Sequence, residues 1–334
     1  MKNKKYKAAV IGCGKIGVEV GNYKKDTQPA THAGAYQSHP KIELAALVDI
    51  DQERLKVAAG YFPNVPLFKD AKKMLKEIKP DIVSVATPPE FHFELVKLAA
   101  QFGARAIVCE KPITHSLKEA REMIKICKEN QSLLFINHQR RFDPLIREWQ
   151  SKIEKGLIGK IFQGTVYYYN GLFNNGTHIV DLLRFFLGEV NWTRGLTNLE
   201  TSTTKDDKNI DSLICFKNGA RVILQSLPKN YGFANFYFYG SRGRIALKNL
   251  GYEIEYRKLI KNRYYKGYYQ LSDEIKLVGK VRSFMKGMVD YVVSCLENRG
   301  RPISTGEDGL AVLKALFSLK RSAESNGKII KVKY

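Results

Sequence analysis

A glycine pattern near the start of the chain constrains the fold more than any other sequence feature. The segment Gly12-Cys-Gly-Lys-Ile-Gly17 directly follows the apolar run Lys7 to Ile11, which has the composition of a buried strand. Glycines at this spacing permit a tight turn and let backbone N–H groups approach a pyrophosphate. The pattern predicts a nucleotide-binding βαβ unit in which the loop residues contact the ligand: Gly12, Cys13, Gly14, Lys15, Ile16 and Gly17.

The first third of the chain has a sequence pattern typical of a parallel sheet covered by helices. Short apolar runs alternate with amphipathic stretches, a pattern typical of strands buried between helices. The runs predict further strands at 42–48, 81–86 and 104–109, and helices near 51–60, 90–102 and 116–130. The predicted fold class is therefore α/β, beginning with an N-terminal doubly wound parallel sheet of the Rossmann type.

The texture changes beyond about Leu133. An amphipathic helix with Trp149 on its apolar face precedes a predicted strand at 161–169. The turn Lys217-Asn-Gly-Ala220 lies between two further strand-like runs and predicts a hairpin, because Asn-Gly accepts tight-turn geometry. Further strand-like runs at 233–239 and 244–248 extend an antiparallel sheet, and two helices, about 280–298 and 307–325, close the chain.

These patterns predict two domains. Residues 1–130 form the nucleotide-binding domain. Residues 131–334 form a substrate-binding and oligomerisation domain, whose C-terminal helix packs back towards the first domain.

Asp49 ends the second predicted strand, where a carboxylate can accept both ribose hydroxyls of an adenosine. It would repel a 2′-phosphate, so NAD is favoured over NADP, and the adjacent Ile50 is expected to line the same site. The alternative for Asp49 is a helix N-cap, a role that Asp51 can fill instead.

The spacing between the glycine loop and Asp49 departs from the usual pattern. Asp49 follows Gly17 by 32 residues, where about 20 are usual. The extra length falls in residues 19–30, a polar segment with more loop than helix character. We expect it beside the pyrophosphate and the active-site mouth, where Lys24 and Lys25 either meet anionic ligands or form a solvated charge pair.

The composition of the chain indicates which classes of ligand and which cellular compartment to expect. The chain has 55 basic and 33 acidic residues, and the net charge of +22 favours phosphates, carboxylates or other anions as ligands. Five scattered cysteines fit neither a disulfide framework nor a zinc site, and no run reaches the roughly 18 apolar residues of a membrane span. No His, Cys, Asp or Glu set has metal-ligand spacing. We expect a cytoplasmic protein without a metal or a membrane partner.

Four tyrosines interleave with basic residues in the segment 263–269. Such a pattern can clamp nucleobases. Packing at a sheet edge or a subunit interface is favoured instead, because no nucleic-acid-binding signature accompanies it.

Glu110-Lys-Pro112 comes directly after the predicted strand 104–109, which places Lys111 at the carboxyl end of the sheet. An ammonium desolvated there can titrate or donate to a substrate hydroxyl, and the alternative is a surface lysine before a turn. With the glycine loop and Asp49, this motif resembles the Gfo/Idh/MocA family of NAD(P)-dependent oxidoreductases. The resemblance also rests on Ala86-Thr-Pro-Pro89, His92, Arg140-Arg-Phe-Asp-Pro144, Gly176 to Arg184 and Gly306-Glu-Asp-Gly309, so it covers nearly the whole chain.

The resemblance implies a Rossmann domain followed by an α/β domain with a large, mostly antiparallel open sheet, which commonly forms the oligomer interface, here of a dimer or tetramer. It implies hydride transfer between nicotinamide and a hydroxyl or carbonyl carbon. Thr87, Pro88, His92, Glu110 and Lys111 join the predicted cofactor-binding residues. For His92, a structural role at the start of a helix is the alternative.

His178 and Lys111 are the predicted catalytic residues, because loss of hydride from a carbinol requires loss of the hydroxyl proton. Asp181, three residues later, can orient His178, and a local cap or ion pair is its alternative. Arg141 is a candidate for the substrate wall. Many family members have an aspartate where this chain has Asn174, and an amide cannot accept the proton. Asn174 is therefore predicted to position the substrate.

The Asn-x-Gly-x-His arrangement resembles sugar-nucleotide 3-dehydrogenases of the family, which favours a nucleoside-diphosphate sugar as substrate. A free polyol, an inositol or a small cyclic diol is the alternative substrate. A non-catalytic NAD-sensing regulator is the alternative of another class, since the family includes a regulator that has lost the chemistry. No helix-turn-helix or basic tail supports nucleic-acid binding.

Overall fold

The computed structural model describes residues 5–19, 29–249, 252–273, 276–280, 284–300 and 302–334. The chain divides into two compact units. Unit 1 comprises residues 1–143 and 282–310, and unit 2 comprises residues 144–281 and 311–334. The domain boundary expected between residues 130 and 131, and the packing of the C-terminal helix, stay predictions.

Unit 1 contains a parallel sheet of six strands in the order β3-β2-β1-β4-β5-β6. Its elements up to residue 143 are β1 Tyr6–Ile11, α1 His32–Ser38, β2 Ile42–Val48, α2 Gln52–Tyr61, β3 Leu67–Phe68, α3 Ala71–Ile78, β4 Ile82–Val85, α4 His92–Gln101, β5 Ala106–Cys109, α5 Leu117–Glu129 and β6 Leu133–Ile136. This strand order is that of a doubly wound dinucleotide-binding fold. The predicted Rossmann sheet is confirmed.

The strands of unit 1 form because apolar residues occupy consecutive positions, as both faces of a parallel sheet are covered. Ala8, Ala9 and Val10 of β1 are wholly buried. The connection after β2 follows local capping rules, since the Asp51 side chain accepts a hydrogen bond from the backbone N–H of Glu53 and begins α2. Asp51 is therefore the helix cap, as the sequence allows.

The unusual distance between the glycine loop and Asp49 has a structural explanation. The chain makes one helical turn after Gly14, where the N–H of Val18 donates to the Gly14 carbonyl at 2.9 Å. Helix α1 begins at His32, whose N–H donates to the Ile16 carbonyl at 3.0 Å. The additional segment is thus inserted between the first turn and α1, and the two remain hydrogen-bonded. Lys24 and Lys25 lie outside the described residues.

Unit 2 is built on a larger sheet. The remaining elements of the chain are α6 Pro144–Glu154, β7 Ile161–Tyr168, α7 Gly176–Leu187, β8 Val190–Asn198, β9 Asn209–Phe216, β10 Arg221–Ser226, β11 Asn235–Gly240, β12 Gly243–Lys248, β13 Glu253–Lys261, β14 Tyr269–Leu271, β15 Lys276–Lys280, α8 Phe284–Leu296, α9 Gly306–Glu324 and β16 Ile330–Lys331. Helix α8 belongs to unit 1, and α9 begins there and continues in unit 2.

Among the described residues, ten strands form this sheet, in the order β14-β13-β12-β11-β7-β10-β9-β8-β16 with β15 beside β13. Strands β7 and β10 pair in parallel, and the other pairs are antiparallel. The predicted hairpin is present, with Arg221 opposite Cys215 and Gly219 at a φ of +89°. The predicted mostly antiparallel sheet is confirmed.

The sequence patterns missed strands β8 and β13. Strand β13 carries alternating charges that resemble a solvated segment. Its Glu255 is nevertheless buried, because Arg244 and Lys248 of the neighbouring strand β12 form ion pairs with it. Cross-strand pairing of this kind is invisible in a sequence window.

The tyrosine-rich segment forms the loop between β13 and β14 and the first residue of β14, Tyr269. Tyr264, Tyr265, Tyr268 and Tyr269 are exposed, by 61 to 82% of their surface. The side chain of Asn262 accepts hydrogen bonds from the N–H groups of Tyr264 and Tyr265, which fixes the loop beyond the sheet. Tyr269 lies on β14, the edge strand of the sheet, so packing at a sheet edge and packing at a subunit interface both stay predictions.

Within the described part of the chain, no helix combines the length and the apolar character required to cross a bilayer. The five cysteines are buried free thiols.

Candidate active site

The glycine loop is shaped by close backbone contacts. Gly12 has a φ of +102°, and a Cβ atom there would lie 2.5 Å from the Ala86 carbonyl oxygen. A Cβ atom on Gly17 would overlap the Gly12 carbonyl. A Cβ atom on Gly14 would meet no atom within 4 Å. Two glycines are thus required by the loop itself, whereas Gly14 leaves open space for a ligand.

Asp49 lies at the carboxyl end of β2 and is 6% exposed. Its carboxylate accepts hydrogen bonds from the N–H groups of Cys13 at 2.8 Å and Asp51 at 2.9 Å. The side chain therefore ties the glycine loop to the start of α2. Burial and the Asp49 charge raise the pKa of the Cys13 thiol to about 12, so the thiol stays protonated.

A cavity of about 430 Å³ opens beside Asp49. Its walls include the apolar side chains of Ile50, Phe91 and Leu95, and two cations, Arg54 and Lys69. An Arg54 guanidinium nitrogen lies 3.8 Å from the Asp49 carboxylate. A flat base between apolar walls and a ribose at the carboxylate would suit such a cavity.

Five of the residues predicted to bind the cofactor line this cavity: Gly12, Asp49, Ile50, Thr87 and Pro88. The Thr87 hydroxyl oxygen is buried and makes no hydrogen bond to any described residue. A buried polar atom without a partner at a ligand cavity is satisfied when a ligand donates to it or accepts from it. The open space at Gly14 and the Thr87 hydroxyl both fit a bound dinucleotide. The individual contacts stay predictions.

Glu110 and Lys111 follow β5, beside the end of β4 that leads into the cavity. Glu110 is 7% exposed, and its Oε1 atom accepts from Asn137 Nδ2 at 2.6 Å and pairs with His32 Nε2 at 3.0 Å. Burial alone would raise the pKa of Glu110, but the contacts with His32 and Asn137 and the Lys111 charge lower it to about 2. Glu110 is therefore ionised beside Lys111 at neutral pH.

His92 joins two loops of this edge. The ring is wholly buried, and its Nε2 atom lies 2.9 Å from the Thr87 carbonyl. Its Nδ1 atom lies 3.0 Å from the Pro112 carbonyl and 3.2 Å from that of Ile113. Burial lowers the pKa of His92. These contacts connect the loop after β4 with the loop after β5, which is the structural role expected as the alternative. The contact with the cofactor stays a prediction.

Arg141 is also buried within unit 1, at 5% exposure. Its guanidinium donates to the Ile303 carbonyl at 3.0 Å and lies 2.9 Å from the Asp308 carboxylate. The motif Gly306-Glu-Asp-Gly309 thus supplies the partner of Arg141. These contacts are internal to unit 1, and the role of Arg141 at the substrate wall stays a prediction.

The other predicted catalytic residue lies in unit 2. His178 is half-buried on α7, which continues from a single π-helical turn, Gly171–Asn175. The Asp207 carboxylate accepts hydrogen bonds from the N–H groups of Phe173 and Asn174, both at 2.9 Å. The Asn174 side chain is exposed. Single π-turns in helices occur frequently at functional sites.

Asp181 is 2% exposed and lies three residues after His178 on α7. This spacing places both on one side of the helix. Sequence reasoning missed Asp207, Asn137 and the role of His32, because each acts on a residue distant in the chain. Among the described residues, no group of three or more His, Cys, Asp or Glu side chains is arranged to hold a metal ion.

The parallel sheet, the glycine loop and the carboxylate at the end of β2 define a Rossmann-type protein that binds a dinucleotide. The profile described as an oxidoreductase family with an NAD-binding Rossmann fold matches residues 6–138. This segment carries the NAD-binding domain of the Gfo/Idh/MocA family, and the chain is an NAD(P)-dependent dehydrogenase that acts on CH–OH groups. The predicted resemblance to the family, the enzyme class and the NAD cofactor are confirmed.

Relatives extend over the whole chain. D-apiose dehydrogenase of Paraburkholderia graminis is 26% identical, and the match covers 99% of this chain and 90% of that enzyme. Inositol 2-dehydrogenase of Rhizobium meliloti is 26% identical over 72% of this chain and 74% of its own length. The structure of the WlbA dehydrogenase from Bordetella pertussis, crystallised with NADH and UDP-GlcNAcA, is 21% identical and has a TM-score of 0.79. The match covers 100% of this chain and 99% of that chain. This last likeness shows a shared fold.

Proposed function

We propose that this protein is an NAD-dependent dehydrogenase that oxidises a hydroxyl of a nucleoside-diphosphate sugar, or reduces the corresponding carbonyl. The observation that carries the proposal is the position of Lys111. It follows the ionised Glu110 at the end of β5, and the neighbouring strand β4 leads directly to Thr87 in the cavity wall. Ligands of doubly wound folds bind at this edge of the sheet.

The cofactor would be held by the glycine loop, Asp49 and the Thr87 hydroxyl. When bound, NAD supplies the acceptor for the hydride that leaves the substrate carbon. Asp49 would accept from the ribose hydroxyls, and Gly14 would let the backbone approach the pyrophosphate. The buried contacts of Asp49 hold its carboxylate in place before any ligand arrives.

The protein's own contribution to the chemistry is proton transfer. We assign the general base role to His178, which takes the proton of the substrate hydroxyl as the hydride leaves. Lys111 donates a hydrogen bond to the same oxygen and stabilises its developing negative charge. Asn174 lacks a site for the proton and positions the substrate, while Asp181 orients the imidazole.

Two features support a nucleoside-diphosphate sugar. The sequence Asn174-Asn-Gly-Thr-His178 has the arrangement described above for sugar-nucleotide dehydrogenases, and the net charge of +22 favours a doubly charged diphosphate over a neutral sugar. A structure with the same fold, the WlbA dehydrogenase, was crystallised with a UDP-sugar acid.

A free sugar or polyol is the second candidate. The relatives at 26% identity are named as dehydrogenases of D-apiose and of inositol. Neither of these substrates carries a phosphate.

A substrate panel tests the proposal. NADH formation is followed with NAD and, in turn, UDP-N-acetylglucosamine, UDP-glucose, D-apiose and myo-inositol. Turnover of a UDP-sugar with a KM at least tenfold below that of every free sugar supports the proposal, and the reverse order assigns the second candidate. Tight NADH binding without turnover of any sugar would contradict the proposal and favour a non-catalytic NAD-sensing regulator.

We also propose self-association through the unit 2 sheet. Ile223 on β10 and Tyr239 on β11 are 50% and 39% exposed, although both lie on interior strands of the sheet. Light scattering should show a dimer or tetramer that Ile223→Glu dissociates. Tyr61→Glu, at an exposed position of unit 1, is the matched control. We propose a cytoplasmic location as well, because the five cysteines are free thiols and the cytosol keeps thiols reduced.

A further inference from the structure

A buried chain of hydrogen bonds leads through unit 1 to the residue before Lys111. The Tyr36 hydroxyl lies 2.7 Å from the Ser84 hydroxyl, and Ser84 Oγ lies 2.9 Å from His32 Nδ1. His32 Nε2 lies 3.0 Å from Glu110 Oε1, which also accepts from Asn137. Tyr36, Ser84, His32 and Asn137 are wholly buried. The proposed catalysis does not yet use these groups.

The donors in this chain can be assigned from chemistry. Glu110 is ionised and only accepts, so the His32 Nε2 atom must carry a proton. In the Nε2–H tautomer, the Nδ1 atom, 2.9 Å from Ser84 Oγ, accepts from the Ser84 hydroxyl. Burial raises the pKa of Tyr36 far above its usual range, so the phenol keeps its proton and donates to Ser84. With this tautomer, all of the bonds run in one direction, from Tyr36 towards Glu110.

His32 is also attached to the cofactor loop. Its backbone N–H donates to the Ile16 carbonyl at 3.0 Å, and the next N–H, of Ala33, donates to the Gly17 carbonyl at 2.9 Å. His32 begins α1, directly after the inserted segment. The same residue therefore contacts the glycine loop through its backbone and Glu110 through its ring.

Glu110 in turn contacts the backbone of Lys111. The Lys111 N–H donates to Glu110 Oε2 at 3.3 Å, and the Lys111 charge acts on the Glu110 carboxyl. Because Oε1 is occupied by His32 and Asn137, the carboxylate is held in one orientation while Oε2 faces the Lys111 backbone.

We propose that His32 is a positioning residue: it holds the Glu110 carboxylate in the orientation that places Lys111 relative to the cofactor loop. This inference rests on the proposed catalytic role of Lys111. The ring Nε2–H is the functional group, and Ser84 and Tyr36 keep the ring in the tautomer that presents it. Loss of the bond should impair the chemical step while the cofactor still binds, since the backbone contact to Ile16 is kept.

Two substitutions of similar size separate the ring nitrogens. In His32→Gln the amide N–H reaches the position of Nε2 and can still donate to Glu110. In His32→Asn the shorter amide reaches only the position of Nδ1 and retains the contact with Ser84. We expect His32→Asn to lower kcat about 10- to 100-fold and His32→Gln to restore most of it, with the Kd for NADH within threefold of wild type in both.

A second readout needs no substrate. Trace acetylation at varied pH, followed by mass spectrometry of the Lys111 peptide, gives the pH midpoint at which Lys111 becomes reactive. Glu110→Gln should lower this midpoint by about one pH unit, because the neighbouring negative charge is removed. His32→Asn should shift it in the same direction by less, and His32→Gln should leave it unchanged.

The outcomes distinguish this inference from the proposed function. If Lys111→Ala retains full turnover, the proposed function fails, whatever the His32 variants do. If Lys111→Ala is inactive but His32→Asn has wild-type kcat and an unshifted Lys111 midpoint, His32 serves stability alone and the inference is overturned. Ser84→Ala leaves the ring in place and should show a smaller shift of the same sign, which keeps the test decisive if His32→Asn does not fold.

Discussion

The two units hold their predicted catalytic residues in different ways. In unit 1 the side chain of Glu110, next to Lys111, is bound by the buried side chains of His32 and Asn137. In unit 2 the turn before His178 is held by its backbone, through the N–H groups that Asp207 accepts, and the Asn174 side chain is exposed. The contacts of Glu110 in unit 1 thus fix the orientation of a charged side chain, whereas those of Asp207 in unit 2 fix the backbone of an exposed turn.

This difference has energetic consequences. Removing a side chain from the buried network leaves another polar group without a partner, which costs about 1 to 3 kcal/mol. Truncating an exposed side chain on a fixed turn leaves the fold almost unaffected. Variants in the buried network of unit 1 should therefore change both stability and activity, and variants at the exposed Asn174 should change stability less.

The largest effect is expected from the two proposed catalytic groups. Lys111→Ala and His178→Asn should each lower kcat by about 10² to 10⁴, because charge stabilisation or proton transfer is lost. NADH binding, measured by nicotinamide fluorescence, should be largely kept. If kcat is unchanged in the His178→Asn variant, another group accepts the proton.

The glycine loop separates a structural glycine from a ligand-contacting one. Gly17→Ala should lower the free energy of unfolding by about 1 to 3 kcal/mol, since its Cβ atom would meet the rigid Gly12 carbonyl. Gly14→Ala should leave the melting temperature of the ligand-free protein unchanged and weaken NADH binding. Equal melting temperatures for the two variants would contradict the loop geometry.

Glu110 predicts a difference in acid stability. Its pKa of about 2 lies below the ordinary value of 4.5, so its ionised form stabilises the fold above pH 4.5. This contribution is lost as the pH falls from about 4.5 to 2. Wild type should exceed Glu110→Gln in unfolding free energy by about 1 to 3 kcal/mol at pH 6, and the gap should close towards pH 2. Denaturant titrations at several pH values measure it.

Asp49→Ser should relax the choice between NAD and NADP. The substitution removes the repulsion of a 2′-phosphate, and Arg54 and Lys69 then remain in the cavity wall. We expect the ratio of the Kd values for NADPH and NADH to fall about tenfold, with some loss of NADH affinity. Asp51→Ser, which keeps a helix cap, is the control and should leave the ratio unchanged. Equal use of both cofactors by wild type would contradict the assignment of Asp49.

The smallest effect is expected at Asn174. Asn174→Ala should raise the substrate KM about three- to tenfold, with no change in melting temperature and no loss of a limb from the pH profile of kcat. The wild-type pH profile is the reference. Loss of a limb in this variant while His178→Asn retains it would place the proton acceptor outside the predicted pair.

Local patterns predicted much of unit 1. Strand β2 has the predicted bounds, and the glycine loop follows β1 as expected. Both features depend on neighbouring residues: a run of apolar side chains for a strand buried on both faces, and glycines for a tight turn. Unit 2 was predicted less completely. Strand β13 was missed because its buried charge, Glu255, is paired by a neighbouring strand. Helix α7 was inferred only through the spacing of His178 and Asp181.

The sequence alone determined the nucleotide-binding motif, the acidic residue after β2 and the position of Lys111 after a strand, since each depends on residues a few positions apart. Only the tertiary structure decided that the additional segment falls between the turn after Gly14 and α1, and that His32 contacts Glu110. These two residues are 78 positions apart in the chain. Their contact arises because parallel strands bring their carboxyl ends to one edge of the sheet, and a buried carboxylate there requires donors from wherever the fold supplies them.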